Sequence, residues 1–147
     1  MPYDVVSVCA SLGVHVKTVL LAQTWGAWVP QRRLIVLAVD LTPVQRICTL
    51  AHHIEHAIRG HGPCGTGPYA SALAATGFAR QAAIAQDAVA DRAAAHKLLA
   101  GIDLSAARAD PDTLTLAHRL GVTEHLLTVR LNELGVGAWP ATSRTAG

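Results

Sequence analysis

The sequence predicts a small α+β domain, mainly helical, with a short three-stranded sheet placed ahead of its first long helix. Three observations lead there. Aliphatic residues alternate or run together in short stretches before position 40, a helix-start signal follows at 42–45, and alanine-rich segments of helical character fill much of the remainder. Apolar residues make up 51% of the 147 positions and aromatics only 4%, so the core must come from close-packed helices and a small aliphatic sheet rather than from ring clusters. That size suits one domain, expected over 1–137, with 138–147 as a flexible tail lacking periodic pattern.

In chain order, residues 3–12 read as a short helix with Val5, Val6, Cys9 and Leu12 on one side and Gly13 as its stop. Val14, Val16, Thr18 and Leu20 alternate as a first strand, Trp25 to Val29 form a second, and Leu34 to Val39 form a buried aliphatic third. Pro30 to Arg33 make the turn between the last two. Thr42 and Gln45 form a Thr-x-x-Gln capping box, Pro43 fits the first helical position and Gly60 the end, which sets a helix over 43–59. His61 to Gly67 read as a loop. The segment from about 70 to 100 is helical with an interruption near Thr76-Gly77 and a stop at Gly101, and two further helices within 114–137 join around Gly121-Val122-Thr123.

Composition removes several classes of function. A formal charge of +2 with 15% charged residues supplies no basic stripe for nucleic acid and no charged tail. Cys9, Cys48 and Cys64 are too few and too irregularly spaced for a disulfide framework, and no CxxC pair offers a four-sulfur site, so free thiols in a reducing cytoplasm are expected. The start MPYDVVSVCASLG has no basic stretch before its apolar run, and no run approaches the roughly 20 apolar residues that span a bilayer. Neither export nor membrane insertion is expected.

The chemistry gathers on the helix at 43–59. At about 100° per residue, Ile47, Ala51, Ile54 and Ile58 share a face read as core, and His52 and His56 lie roughly opposite. Residues four apart stack one turn above another, so two imidazoles at HxxxH spacing can reach one ion. Four of the chain's eight histidines fall between 52 and 61. The plain alternative is a pair of solvent-facing histidines.

A third donor is needed to favour the metal. On the helix around 80–100, Ile84, Ala88, Ala95 and Leu98 share a face from which Asp87 and Asp91 also project. An inward carboxylate without a partner costs several kcal/mol, by order of magnitude, so both acids demand a cation, a metal or hydrogen-bond donors. A metal bound by His52, His56 and Asp87 meets the demand, with Asp91 accepting the free N–H of a ligand imidazole. Salt bridges with Arg80 or Arg92 are the competing explanation. Cys48 lies about 12 Å along the helix from His56 and cannot share an ion with it. His61 and Cys64, in the following loop, could approach but are left outside the ligand set, since a histidine at a helix C-terminus also suits the dipole.

These residues resemble the ImmA/IrrE family of metallo-endopeptidases, in which an aliphatic strand and a TLAHExxH helix precede a helix with an ExxxD-like element. The likeness spans residues 5–135 and rests on Gly26 to Trp28, Arg33 to Val39, Thr42-Pro43-Val44-Gln45-Arg46, Thr49-Leu50-Ala51-His52, His56, Ala90-Asp91-Arg92 and Leu98-Leu99. It implies a small zincin-like domain with a gluzincin-type site holding one zinc ion (Zn2+) at the positions of His52, His56 and Asp87, with Asp91 as the supporting acid. It further implies cleavage or inactivation of a helix-turn-helix transcriptional repressor in a phage, mobile-element or stress-response switch.

Two departures from the family pattern bear on activity. His53 stands where the family carries its catalytic glutamate, and Asp87 is shorter than the usual glutamate ligand. Peptide hydrolysis at a metal needs a base to move the water proton to the leaving amine. His53 has a suitable intrinsic pKa of about 6.5, but a ring nitrogen beside a cation is a poor proton carrier. Glu55 makes His52-His53-Ile54-Glu55-His56 a formal HxxEH match, the inverted order of the inverzincins, although on the wheel it lies roughly 80° from the ligand pair on the side away from His53. The candidate catalytic groups are therefore Glu55 and His53, and the alternative function is a catalytically impaired zinc protein that binds its regulator without hydrolysis. A third reading takes Leu116 to Thr123 with Leu127 and Leu131 as a DNA-binding helical pair. Arg130 stands against Glu124 and Glu133 there, which is weak phosphate-binding material and leaves packing as the expected role.

Overall fold

The computed structural model describes residues 2–66, 78–105, 107 and 112–135. Helix α1 (Val5–Ser11) is capped by the Asp4 carboxylate, which accepts from the backbone N–H groups of Val6 and Ser7. The chain then turns through Gly13 at φ +65° into β1 (His15–Val19). Strands β2 (Gly26–Val29) and β3 (Leu34–Ala38) are joined by a 3-10 turn at Pro30–Arg32. Helix α2 (Pro43–Arg59) starts at the expected capping box, with Thr42 and Gln45 exchanging side-chain-to-backbone bonds, and ends at Gly60 with φ +64°.

A fourth strand, β4 (Cys64–Thr66), lies where the sequence suggested only a loop. It pairs antiparallel with β2, placing Cys64 opposite Trp28, and completes a sheet in the order β1-β3-β2-β4 with β1 parallel to β3. Helices α3 (Phe78–Leu98), α4 (Thr113–Leu120) and α5 (Glu124–Glu133) follow. The expected break near Thr76-Gly77 and the tail at 138–147 lie outside the described residues.

The core forms where α2 rests on the sheet. Trp28, Ile35 and Leu37 meet Leu50, Ala51 and Ile54, and Ala94, Ala95 and Leu99 of the following segment extend the same cluster. Gly26 permits this approach, because a Cβ there would come within 2.8 Å of the Val36 carbonyl oxygen and 2.9 Å of the Thr49 methyl. Ala117, Val122, Leu126, Leu127 and Leu131 of the α4–α5 pair also enter the core.

The helical-wheel faces need correction. Ile47 is 40% exposed, Ile58 45% and Ile84 58%, while every residue from Cys48 to His56 is buried. Helix α2 contacts the sheet on one side and α1 and α3 on others, so its central turns have no solvent side. Its apolar stripe continues toward both ends, where Ile47 and Ile58 are exposed. Val6 and Leu20 are exposed as well.

Candidate metal centre

His52 and His56 are 5% and 1% exposed, so the solvent-facing alternative fails on burial. Their position on successive turns of α2 brings the two Nε2 atoms to 3.0 Å. From α3, the Asp87 Oδ1 atom reaches 3.1 Å from His56 Nε2 and 3.5 Å from His52 Nε2. Cys64 Sγ, on β4, lies 3.4 Å from His52 Nε2 and 2.9 Å from Asp87 Oδ1. Three elements thus bring nitrogen, oxygen and sulfur donors to one point.

The tautomers are set from behind. His52 Nδ1–H donates to Asp91 Oδ1 at 2.7 Å, which turns Nε2 toward the cluster. Asp91 is held in turn by His125 of α5, whose Nε2–H donates to Oδ2 at 2.8 Å. His56 Nδ1 meets His61 Nδ1 at 3.0 Å, and the His61 carbonyl accepts from Trp28 Nε1 at 3.2 Å, tying the loop after α2 to the sheet.

Unshared nitrogen pairs facing each other and a carboxylate at these separations repel unless a proton or a metal lies among them. Donors in a tetrahedron with bonds of about 2.0–2.3 Å stand about 3.3–3.8 Å apart. The observed separations of 2.9–3.5 Å lie close to that scale. The donor chemistry fits zinc, which takes imidazole, carboxylate and thiolate.

The ligand atoms of His52, His53, His56 and Cys64 also lie within 4.8 Å of one another. His53 borders the cluster, with its ring centroid 5.0 Å from that of His52 and 6.0 Å from that of His56. Those four residues lie close enough to hold a metal ion. Asp87 reaches the same point from α3.

The family comparison agrees with this geometry. The family Peptidase_M78 (IrrE N-terminal-like domain) matches residues 2–132. The chain belongs to that family. No curated protein and no solved structure matches it. This IrrE-like domain therefore comes from a group of metallopeptidases, in keeping with the buried histidine and cysteine cluster.

The electrostatics of the IrrE-like domain separate its acids and bases. Burial opposes charging of His52, but its hydrogen bonds with the Asp87 and Asp91 carboxylates and with Cys64 overcome it and raise its pKa well above the ordinary value. Asp87 is pushed up by burial, but its contacts with His52, His56 and Cys64 outweigh that and hold it well below the usual carboxylate range. Asp91 balances burial against His125 and His52 and falls to about 2. Burial, then the neighbouring charges of His52 and His56, pushes His53 well below its ordinary value and keeps it neutral. Burial raises the Cys64 thiol to about 11.

Glu55 points elsewhere. It is 0% exposed, and its two carboxylate oxygens are taken by Arg59 one turn on and by Lys97 of α3. Lys97 also lies 5.7 Å from the Tyr3 ring centroid. Beside the donor cluster, a cleft of about 250 Å³ is lined by Trp28, Val29, His56, Cys64, Gly65 and Asp87 among others.

Of the residues singled out in the sequence, His52, His56, Asp87 and Asp91 come together, His53 borders them, and Glu55 does not join them. Cys64, His61 and His125 also reach the cluster, although the sequence alone does not place them in it. The signal for Cys64 was its place soon after the Gly60 turn, which lets the chain double back. Nothing local marks His125, since its contact with Asp91 depends on how α5 packs on α3. Among the described residues, no helix is long and apolar enough to cross a membrane.

Proposed function

We propose that this domain holds one zinc ion through His52, His56 and Asp87, with Asp91 orienting His52, and acts as a regulatory binding protein that has lost efficient peptide hydrolysis. The carrying observation is the fate of Glu55. It is the sole acid on α2, and both of its oxygens are engaged by Arg59 and Lys97. Proton transfer to a leaving amine needs a base within hydrogen-bond reach of the attacking water. A carboxylate buried in its own ion pairs does not supply one, and His53 is a fully buried ring where the family carries glutamate.

Family membership favours a protein partner, and we take a helix-turn-helix regulator of a phage, mobile-element or stress-response switch as that partner. Direct DNA binding is disfavoured by the α4–α5 pair, whose apolar positions enter the core and whose Arg130 pairs with Glu133 at 2.8 Å. The free Cys9, Cys48 and Cys64 suit a reducing cytoplasm.

The second reading is a working endopeptidase, favoured by the cleft that runs past Trp28, Cys64 and Asp87 beside β4, an edge strand among the described residues. An extended peptide could add to that edge through its main chain. One experiment separates the two. The purified chain is expected to carry one zinc by mass spectrometry, to lose it on His52→Ala, and to leave regulator proteins encoded beside it intact. Chelator-sensitive cleavage by the natural chain that disappears in Glu55→Gln overturns the binding-protein reading.

A further inference from the structure

We propose that Cys64 is a fourth metal donor, so that His52, His56, Asp87 and Cys64 close the site from within the chain. The inference rests on the zinc reading above and concerns how that site is controlled. Cys64 Sγ stands 3.4 Å from His52 Nε2 and 2.9 Å from Asp87 Oδ1, and the ligand atoms of Cys64 and His56 are within 4.8 Å. The sulfur therefore sits with the other donors rather than beside them.

Its placement is built into the sheet. Cys64 pairs with Trp28 in the β2–β4 ladder, and the Trp28 indole bonds the His61 carbonyl three residues earlier. Strand pairing and this bond fix where the chain returns after α2, so the thiol does not depend on a free loop for its position. The other two thiols serve the core. Cys9 is buried in the hydrophobic cluster, and Cys48 accepts from the Thr123 backbone N–H at 3.4 Å.

Four protein donors mark a structural zinc site, whereas a catalytic one keeps a position for water. On binding, the Cys64 S–H bond breaks, a sulfur–metal bond forms and the proton leaves to the buffer. With four protein donors bound, the site would keep no tetrahedral position for water unless that sulfur–metal bond broke. The thiol acts as a latch that holds β4 down across the centre and keeps hydrolytic chemistry off, independently of the missing base.

The test loads the full chain with one equivalent of Co2+ in reducing, oxygen-free buffer and reads its absorption spectrum. A thiolate-to-cobalt charge-transfer band in the near ultraviolet is expected. Cys64→Ser should abolish that band and weaken zinc binding by at least about tenfold in chelator competition. Cobalt bound without the band, or a band that persists in Cys64→Ser, overturns the role of Cys64 and leaves the three-donor reading standing. No metal bound at all overturns the three-donor reading itself. If the variant fails to fold, peptide mapping of alkylated thiols in the natural chain decides: zinc should shield Cys64, and equal labelling with and without zinc overturns the proposal.

Discussion

Helix α2 carries two buried polar clusters on different sides, and they solve the problem of buried charge in opposite ways. Around Glu55, one carboxylate meets two cationic side chains, Arg59 and Lys97, so the cluster is neutralised by the protein itself. Around His52 and His56, two carboxylates and a thiol converge with imidazoles whose Nε2 atoms stand 3.0 Å apart. The first cluster is complete as a set of ion pairs with permanent cations, whereas in the second the carboxylates pair with histidines that carry charge only when protonated, so a metal ion can take the place of the protons. A buried acid on a helix that offers metal-binding histidines is therefore no sign of catalysis until its partners are known.

The comparison predicts separable phenotypes, the largest at the donor cluster. Removing zinc with a chelator, or substituting His52→Ala, should abolish metal binding and the stability that comes with it. That loss is about 4 kcal/mol where free zinc stands at about a thousand times its dissociation constant, seen as a fall in the denaturation midpoint. Stability unchanged by chelation in a chain shown to carry zinc would break the contrast between the clusters.

Glu55→Gln should do the reverse, keeping one equivalent of zinc while lowering unfolding free energy by about 2–3 kcal/mol in urea titration. The figure is set below that of fully enclosed pairs because the Arg59 and Lys97 side chains are 34% and 36% exposed. Loss of zinc in the folded variant would join Glu55 to the metal site after all.

Asp91→Asn removes the charge behind His52 and should weaken zinc about 10–100-fold without abolishing binding, as measured by chelator competition. The smallest effect concerns Tyr3 in the Glu55 cluster. Burial, then the charges of Glu55 and Cys9, raises its phenol to about 12. With the folded value above the unfolded value of about 10, the stability linked to Tyr3 is present in full below pH 10 and is lost as pH rises through 12. Ultraviolet titration of a Tyr69→Phe chain should place the Tyr3 transition near 12, and a transition at 10 would show that Tyr3 is not enclosed by the cluster.

The legibility of each feature follows the range of the interaction behind it. The α2 start is written in Thr42, Pro43 and Gln45, three neighbours whose bonds are local, and it is found where expected. The spacing of His52 and His56 also follows from helix geometry alone, whereas the face assigned to Asp87 and Asp91 does not: Ile84 and Ala88 on it are exposed, and Asp91 lies beside buried Ala90 and Ala94 instead. Strand β4 is three residues long and holds its shape by pairing with β2, so no periodicity announces it. Cys64 and His125 reach the cluster only because β4 pairs and α5 docks. Ile47, Ile58 and Ile84 misled for a related reason: hydrophobic periodicity marks a face but does not say how far along the helix that face is covered.

Gly26 shows how tightly the site depends on parts that take no share in it. The backbone of β2 at Gly26 and the Thr49 methyl leave no room for even one added carbon between strand and helix. Thr49 precedes His52 by less than one helical turn, so anything that wedges the strand away from the helix shifts the imidazoles with it. A hydrogen atom, the smallest side chain available, thereby sets the tolerance to which the donors are aligned.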